Sequence, residues 1–214
     1  MAFAGQGRNT LAVDMDEPLF PYVETLVAWH NHAYGTILRF DQVRTYDLAA
    51  SIGITNEEAK KRLELFEESR DFAAMPATKG AMEALTELKR YYGLIVVTGR
   101  AQRTADVTLH QLERGYEGVF RSVHHAYGGA SSVTAEPGKM TKAQVCRAYG
   151  ANVLIDDMLE HAESCAKEGI TVLLMDQPWN QMKDGKKLPF LVNRVYGWPD
   201  VVKRLVVPQF ANQW

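Results

Sequence analysis

Four short stretches of the chain are almost continuously apolar: "TLAV" (10–13), "LIVV" (94–97), "NVLI" (152–155) and "ITVLLM" (170–175). They are rich in β-branched residues and too short for helices. That is the pattern of strands buried on both faces in a parallel sheet. A weaker fifth strand is expected in "VFRSVHHA" (119–126). Between the strands the polar positions recur at helical spacing. "TKGAMEALTELKRYYG" (78–93) has apolar residues at 81, 84, 85 and 88 and a predicted stop at Gly93. "TKAQVCRAYG" (141–150) and "MLEHAESCAKEG" (158–169) also close on glycine, the residue that most readily takes the left-handed turn ending a helix. Alternating strands and helices predict a doubly wound, three-layer α/β/α core around a parallel sheet.

Residues 18–75 break the alternation. "FPYVETLVAWHNHAYG", "FDQVRTYDLA" and "TNEEAKKRLELFEESRDF" read as helices, the last with a capping-box spacing between Thr55 and Glu58. So many helical residues between the first and second strands exceed one crossover helix. The expected organisation is a core over 1–17 and 76–214 with an all-helical cap inserted over 18–75.

Each apolar run ends on polar residues: Asp14, Thr98, the pair Asp156–Asp157, and Asp176. In a parallel sheet all strand C-termini share one edge, where ligands bind. Asp14, Asp16, Thr98 and the 156–157 pair are therefore expected to meet in space. Carboxylates gathered there require a cation, and hard oxygen ligands suit Mg²⁺, which keeps several waters and accepts phosphate oxygens. Thr98, Gly99, Lys142 and the backbone N–H groups of Met15 and Asp16 form a candidate anion cradle. Asp14 is placed to attack phosphorus. Asp16, two residues on, is placed to protonate the leaving oxygen and then activate water. Asp176 is assigned to a turn, and His124 and His125 to a strand end.

With 24 Lys and Arg against 26 Asp and Glu, the formal charge of −2 gives no electrostatic ground for a nucleic-acid polymer or a membrane surface as partner. The basic cluster "KDGKK" (183–187) reads as a solvated loop. No stretch approaches the ~18 apolar residues of a membrane span, and the N-terminus lacks a secretion pattern. Cys146 and Cys165 read as two buried free thiols. The expected location is cytoplasmic and the expected partner a small phosphate ester.

The ordered set "DMD" (14–16), "TGR" (98–100), "TK" (141–142) and "DD" (156–157) resembles the four motifs of the haloacid dehalogenase superfamily of phosphohydrolases. "VDMDEPL", "VVTGR", "TKAQVCRAYGANVLIDDMLEHAESC" and "QPWN" (177–180) are similar to its 5′(3′)-deoxyribonucleotidase-like branch. The resemblance implies a Rossmann-like core with a helical cap between the first two motifs. It implies Mg²⁺-dependent phosphomonoester hydrolysis through an aspartyl-phosphate, with a nucleoside monophosphate as the leading substrate. Asp14 would be the nucleophile, Asp16 the acid/base, and Thr98 and Lys142 phosphate ligands. The Asp14 side chain, the Asp16 carbonyl, Asp157 and Asp156 (the last through water) would hold the metal, with the direct ligand of the 156–157 pair left open. That branch has glycine after the second aspartate; this chain departs from it with Glu17 and then Pro18. Glu17 and Tyr22, the latter where the branch has phenylalanine, are candidate substrate contacts. A silent binding protein and a phosphotransferase built on the same residues are the alternatives.

Overall fold

The computed structural model describes residues 9–126, 140–182 and 186–210. Six parallel strands, β1 (Thr10–Val13), β2 (Gly93–Thr98), β3 (Val123–His125), β4 (Ala151–Asp156), β5 (Thr171–Met175) and β6 (Val192–Val195), form one sheet in the order β3-β2-β1-β4-β5-β6. The chain reverses its direction of winding at β1, so a crevice opens above the ends of β1, β2 and β4. Side-chain alternation feeds two apolar layers. Leu11, Val13, Leu94, Val96 and Ile155 face one, packed by α5 (Ala81–Leu88) and α9 (Trp198–Phe210), with Leu112 and Tyr116 of α6 (Ala105–Tyr116). Ala12, Ile95, Val97 and Leu154 face the other, packed by α7 (Lys142–Ala148) and α8 (Leu159–Lys167), which carry the buried free thiols Cys146 and Cys165. Among the described residues no helix is long and apolar enough to cross a membrane.

The cap holds α1 (Tyr22–Tyr34), α2 (Leu48–Ile52), α3 (Asn56–Glu67) and α4 (Arg70–Ala73), with a single 3₁₀ turn at Phe40–Gln42. The expected helix over 40–49 therefore shrinks to that turn and the start of α2. Side chains compete with the helix there: Thr45 Oγ1 accepts from Asp47 N–H, and Asp47 caps α2 by accepting from Ala50 N–H. Thr55 caps α3, but Glu58 pairs with Arg62 instead of completing the box. Two buried bonds hold the incoming strap to the core, Trp198 Nε1–H to Pro18 O (3.0 Å) and Tyr116 O–H to Leu19 O (2.7 Å).

Gly93 does not stop a helix. α5 ends at Leu88, and Gly93 is the first residue of β2, where a Cβ would collide with the Arg121 guanidinium. Gly150 and Gly169 do follow helix ends with φ of 66° and 77°. Strand β6 was not visible in the apolar pattern: it lies at the sheet edge, and its two middle residues, Asn193 and Arg194, are polar and only half-buried. Part of "KDGKK" lies outside the described residues.

Candidate active site

The ladder between β1 and β4 brings the distant acidic motifs together. Val13 pairs with Ile155, and Asp14 N–H donates to Ile155 O at 2.8 Å, so Asp14 and Asp156 leave the sheet side by side. Helix α7 delivers the counter-charge. Thr141 and Gln144 form a reciprocal capping box that fixes its first turn, and Lys142 is its first residue. The Lys142 ammonium bridges Asp14 Oδ2 (2.8 Å) and Asp156 Oδ2 (2.7 Å), with all three residues buried. Asp156 Oδ1 also accepts from Met158 N–H (2.8 Å) and lies 3.4 Å from His161 Nδ1. Asp157 Oδ2 accepts from Trp179 Nε1–H at 2.8 Å.

One ligand atom each of Asp14, Asp156 and Asp157 falls within 4.8 Å of the others. Three buried carboxylates face one ammonium, and the imbalance shows in their acidities. Burial raises Asp14 above the ordinary carboxylate value; Lys142 opposes this, and Asp156 and Asp16 add to it. Burial and then the Asp156 and Asp14 charges push Asp157 well up. Burial works against Asp156 too, but Lys142 and His161 hold it below the ordinary range. Burial likewise disfavours the Lys142 charge, yet Asp14 and Asp156 outweigh it and raise the ammonium. Asp156 is the best satisfied of the three. The unmet negative charge on hard oxygen donors fits a divalent cation of the Mg²⁺ type.

Asp16 is paired with a residue to which the motif reading gave no role. Arg100 Nε–H and Nη2–H both donate to Asp16 Oδ1 (2.9 and 2.7 Å), leaving Oδ2 without a described hydrogen bond. The guanidinium is buried; Nη1–H reaches Thr108 Oγ1 and Gln111 Oε1, and the group sits 4.7 Å above the Phe72 ring. Arg100 lies two residues after the end of β2, within reach of the strand-edge rule that singled out Thr98. Trp179, after β5, and His161, on α8, were overlooked for the same reason. Their signal was position on the edge, not residue type.

A cavity of about 400 Å³ opens above this edge, between core and cap. Asp14, Asp16, Gly99 and Lys142 line its floor, and Tyr22, Leu26, Val43, Tyr46, Leu63 and Trp179 line its apolar wall. Thr98, Met15 and Glu17 are buried and do not line it. The Thr98 hydroxyl accepts from Arg100 N–H, and Met15 N–H donates to Asp14 Oδ1. Asp176, expected in a turn, instead follows β5 directly and ties it to β6: it accepts from Gln181 Nε2–H and from Arg194 Nη1–H.

Glu17 sits at φ 71°, the left-handed region in which glycine is at ease. Its Oε1 accepts from Val23 N–H at 2.6 Å, satisfying an orphan donor in the first turn of α1. Burial pushes its carboxyl from 4.5 up to about 8. Between those values the folded state binds more protons than the unfolded one, so stability falls as pH rises through this window. Glu17→Gln keeps the acceptor and removes the charge. In metal-free buffer its unfolding midpoint is expected to exceed the parent's by several degrees near pH 9, with the gain vanishing near pH 4. A pH-independent difference in thermal melts counts against this account.

No family model matches the chain. It is similar to the candidate nucleotidase BH1399 of Halalkalibacterium halodurans, 27% identical over 177 residues, covering 82% of each protein. It is also similar to the candidate nucleotidase YqfW of Bacillus subtilis, 24% identical over 194 residues, or 90% of this chain and 91% of that one. Among solved structures it resembles the haloacid dehalogenase-like hydrolase SP0104 of Streptococcus pneumoniae, with a TM-score of 0.65, 14% identity, and 92% of this chain and 98% of that one covered. By its sheet order, the cap inserted after β1 and these likenesses, the chain has the fold of the haloacid dehalogenase superfamily.

Proposed function

We propose that the protein is a Mg²⁺-dependent phosphomonoesterase working through an aspartyl-phosphate on Asp14, with residues 18–75 as its specificity cap. The observation that carries the reading is the buried Asp14–Lys142–Asp156–Asp157 cluster, of which Asp14 and Lys142 line the floor of a cavity far larger than a phosphate group. Asp14, the Asp16 carbonyl, Asp157 and Asp156 would hold Mg²⁺, which when bound offsets phosphate charge and polarises the phosphoryl group.

An Asp14 carboxylate oxygen attacks phosphorus, and the bond from phosphorus to the ester oxygen breaks. Protonated Asp16 gives its proton to the departing alkoxide. Water then attacks the aspartyl-phosphate, Asp16 takes a proton from it, and the Asp14–phosphorus bond breaks to release inorganic phosphate. Lys142 supplies charge stabilisation at the floor, with Gly99 allowing close backbone approach. Arg100 fixes Asp16 through one oxygen, which leaves the other for proton transfer.

The aromatic and aliphatic wall favours an ester with an apolar, planar body over a bare sugar phosphate, and a nucleoside monophosphate meets that requirement. A panel of nucleoside monophosphates, sugar phosphates and glycolate-type esters tests this by Mg²⁺-dependent phosphate release. Nucleoside monophosphates are expected to lead in kcat/KM by at least about tenfold. Silence on every ester, with Mg²⁺ still bound, overturns the phosphatase reading.

A further inference from the structure

The loop 177–180 ("QPWN") is built with unusual care for a connection after a strand. Asn180 is buried; its Nδ2–H₂ donates to Asp157 O (2.8 Å) and Met175 O (2.6 Å), and its Oδ1 accepts from Arg194 Nη1–H (2.6 Å) and Gln177 N–H (3.2 Å). Arg194 Nη2–H also binds Asn180 O at 2.8 Å. All of this fixes the residue beside Trp179 to the backbone of Asp157. Trp179 itself makes two contacts of different kinds. Its Nε1–H donates to Asp157 Oδ2, leaving Oδ1 without a described hydrogen bond. Its ring packs T-shaped against two cap side chains, Phe40 and Tyr46, each with ring centroids 5.7 Å away.

We infer that Trp179 is a positioning residue: it aims the Asp157 carboxylate at the metal and is itself braced from above by Phe40 and Tyr46 of the cap. The physical reason is that a buried carboxylate with one fixed oxygen presents the other in a single direction. Without the indole N–H the carboxylate can rotate, and it loses a charge-assisted hydrogen bond. The cap contact then links the position of the cap to the setting of Asp157. The inference rests on the metal-centred reading above.

The test is calorimetric titration of the full chain with Mg²⁺, comparing the parent, Trp179→Phe and Tyr46→Ala, with far-UV circular dichroism as the check on folding. Trp179→Phe keeps a ring against the cap and removes only the donor. Its Mg²⁺ dissociation constant is expected to rise about 10- to 100-fold. Tyr46→Ala keeps the donor and removes a brace, and a smaller, several-fold rise is expected. Turnover of Trp179→Phe at limiting Mg²⁺ should fall and should recover as Mg²⁺ is raised, which a general packing defect would not do. Parent-like affinity in Trp179→Phe overturns the positioning role, and parent-like affinity in Tyr46→Ala overturns the brace. A parent chain that binds no Mg²⁺ instead sinks the metal-centred reading itself, so the two failures are distinguishable.

Discussion

Asp14→Asn is expected to lose Mg²⁺-dependent phosphate release by on the order of 10⁴-fold or more while the protein stays folded. The amide cannot form the acyl phosphate. Folding should be spared, because the substitution removes one of the three carboxylates crowded round Lys142 and leaves the Lys142–Asp156 pair intact. Asp16→Asn separates the two chemical steps. General acid–base loss commonly costs about 10²–10⁴-fold. An aryl phosphate with a good leaving group needs little protonation, however, so its first step should survive. Rapid mixing should then show one equivalent of aryl alcohol released in a burst, with inorganic phosphate trailing far behind. The same experiment on Asp14→Asn should show no burst. Steady turnover by Asp14→Asn, or no burst with Asp16→Asn on any ester that the parent hydrolyses quickly, would contradict the assigned roles.

Apart from Lys142, the parts of this site that were legible in the sequence share one property: each follows the C-terminal end of an apolar strand. Asp14 and the 156–157 pair stand out because a carboxylate directly after a buried strand is costly without a partner. Lys142 was legible through its place at the start of α7, although its contact with two carboxylates at once was not. The pairing of Asp16 with Arg100 was hidden for a different reason. It depends on Thr108 and Gln111 of α6 and on Phe72 of α4, two helices that meet only in the folded chain. Glu17 was expected at the substrate because it breaks a glycine pattern. The break has a local use, since its carboxyl oxygen caps α1 from six residues away, a reach no periodicity reveals. The short helices of the cap were blurred for a related reason. Side-chain caps at Thr45 and Asp47 overrode the helical tendency of the residues around them.

Lys142→Met should destabilise the metal-free protein by about 3–5 kcal/mol, the usual cost of leaving one half of a buried ion pair alone. Met matches the aliphatic stem of Lys closely, so the loss measures charge and not a cavity. In the parent the ammonium is held above its ordinary 10.5, and its contribution is intact across the neutral range. Asp156, held below its ordinary 3.8, contributes above that pH and loses its contribution only in strong acid. Removing the lysine drives both Asp14 and Asp156 toward the protonated form, so the deficit should grow as pH rises and shrink toward about pH 4. Magnesium gives the second handle. If the carboxylate cluster is what the cation binds, Mg²⁺ should raise the unfolding midpoint of Lys142→Met more than that of the parent, because the ion replaces a missing counter-charge in one and joins an existing one in the other. A variant as stable as the parent in chelator at neutral pH would mean that the lysine does not hold these carboxylates together, and the site would need a different source of positive charge.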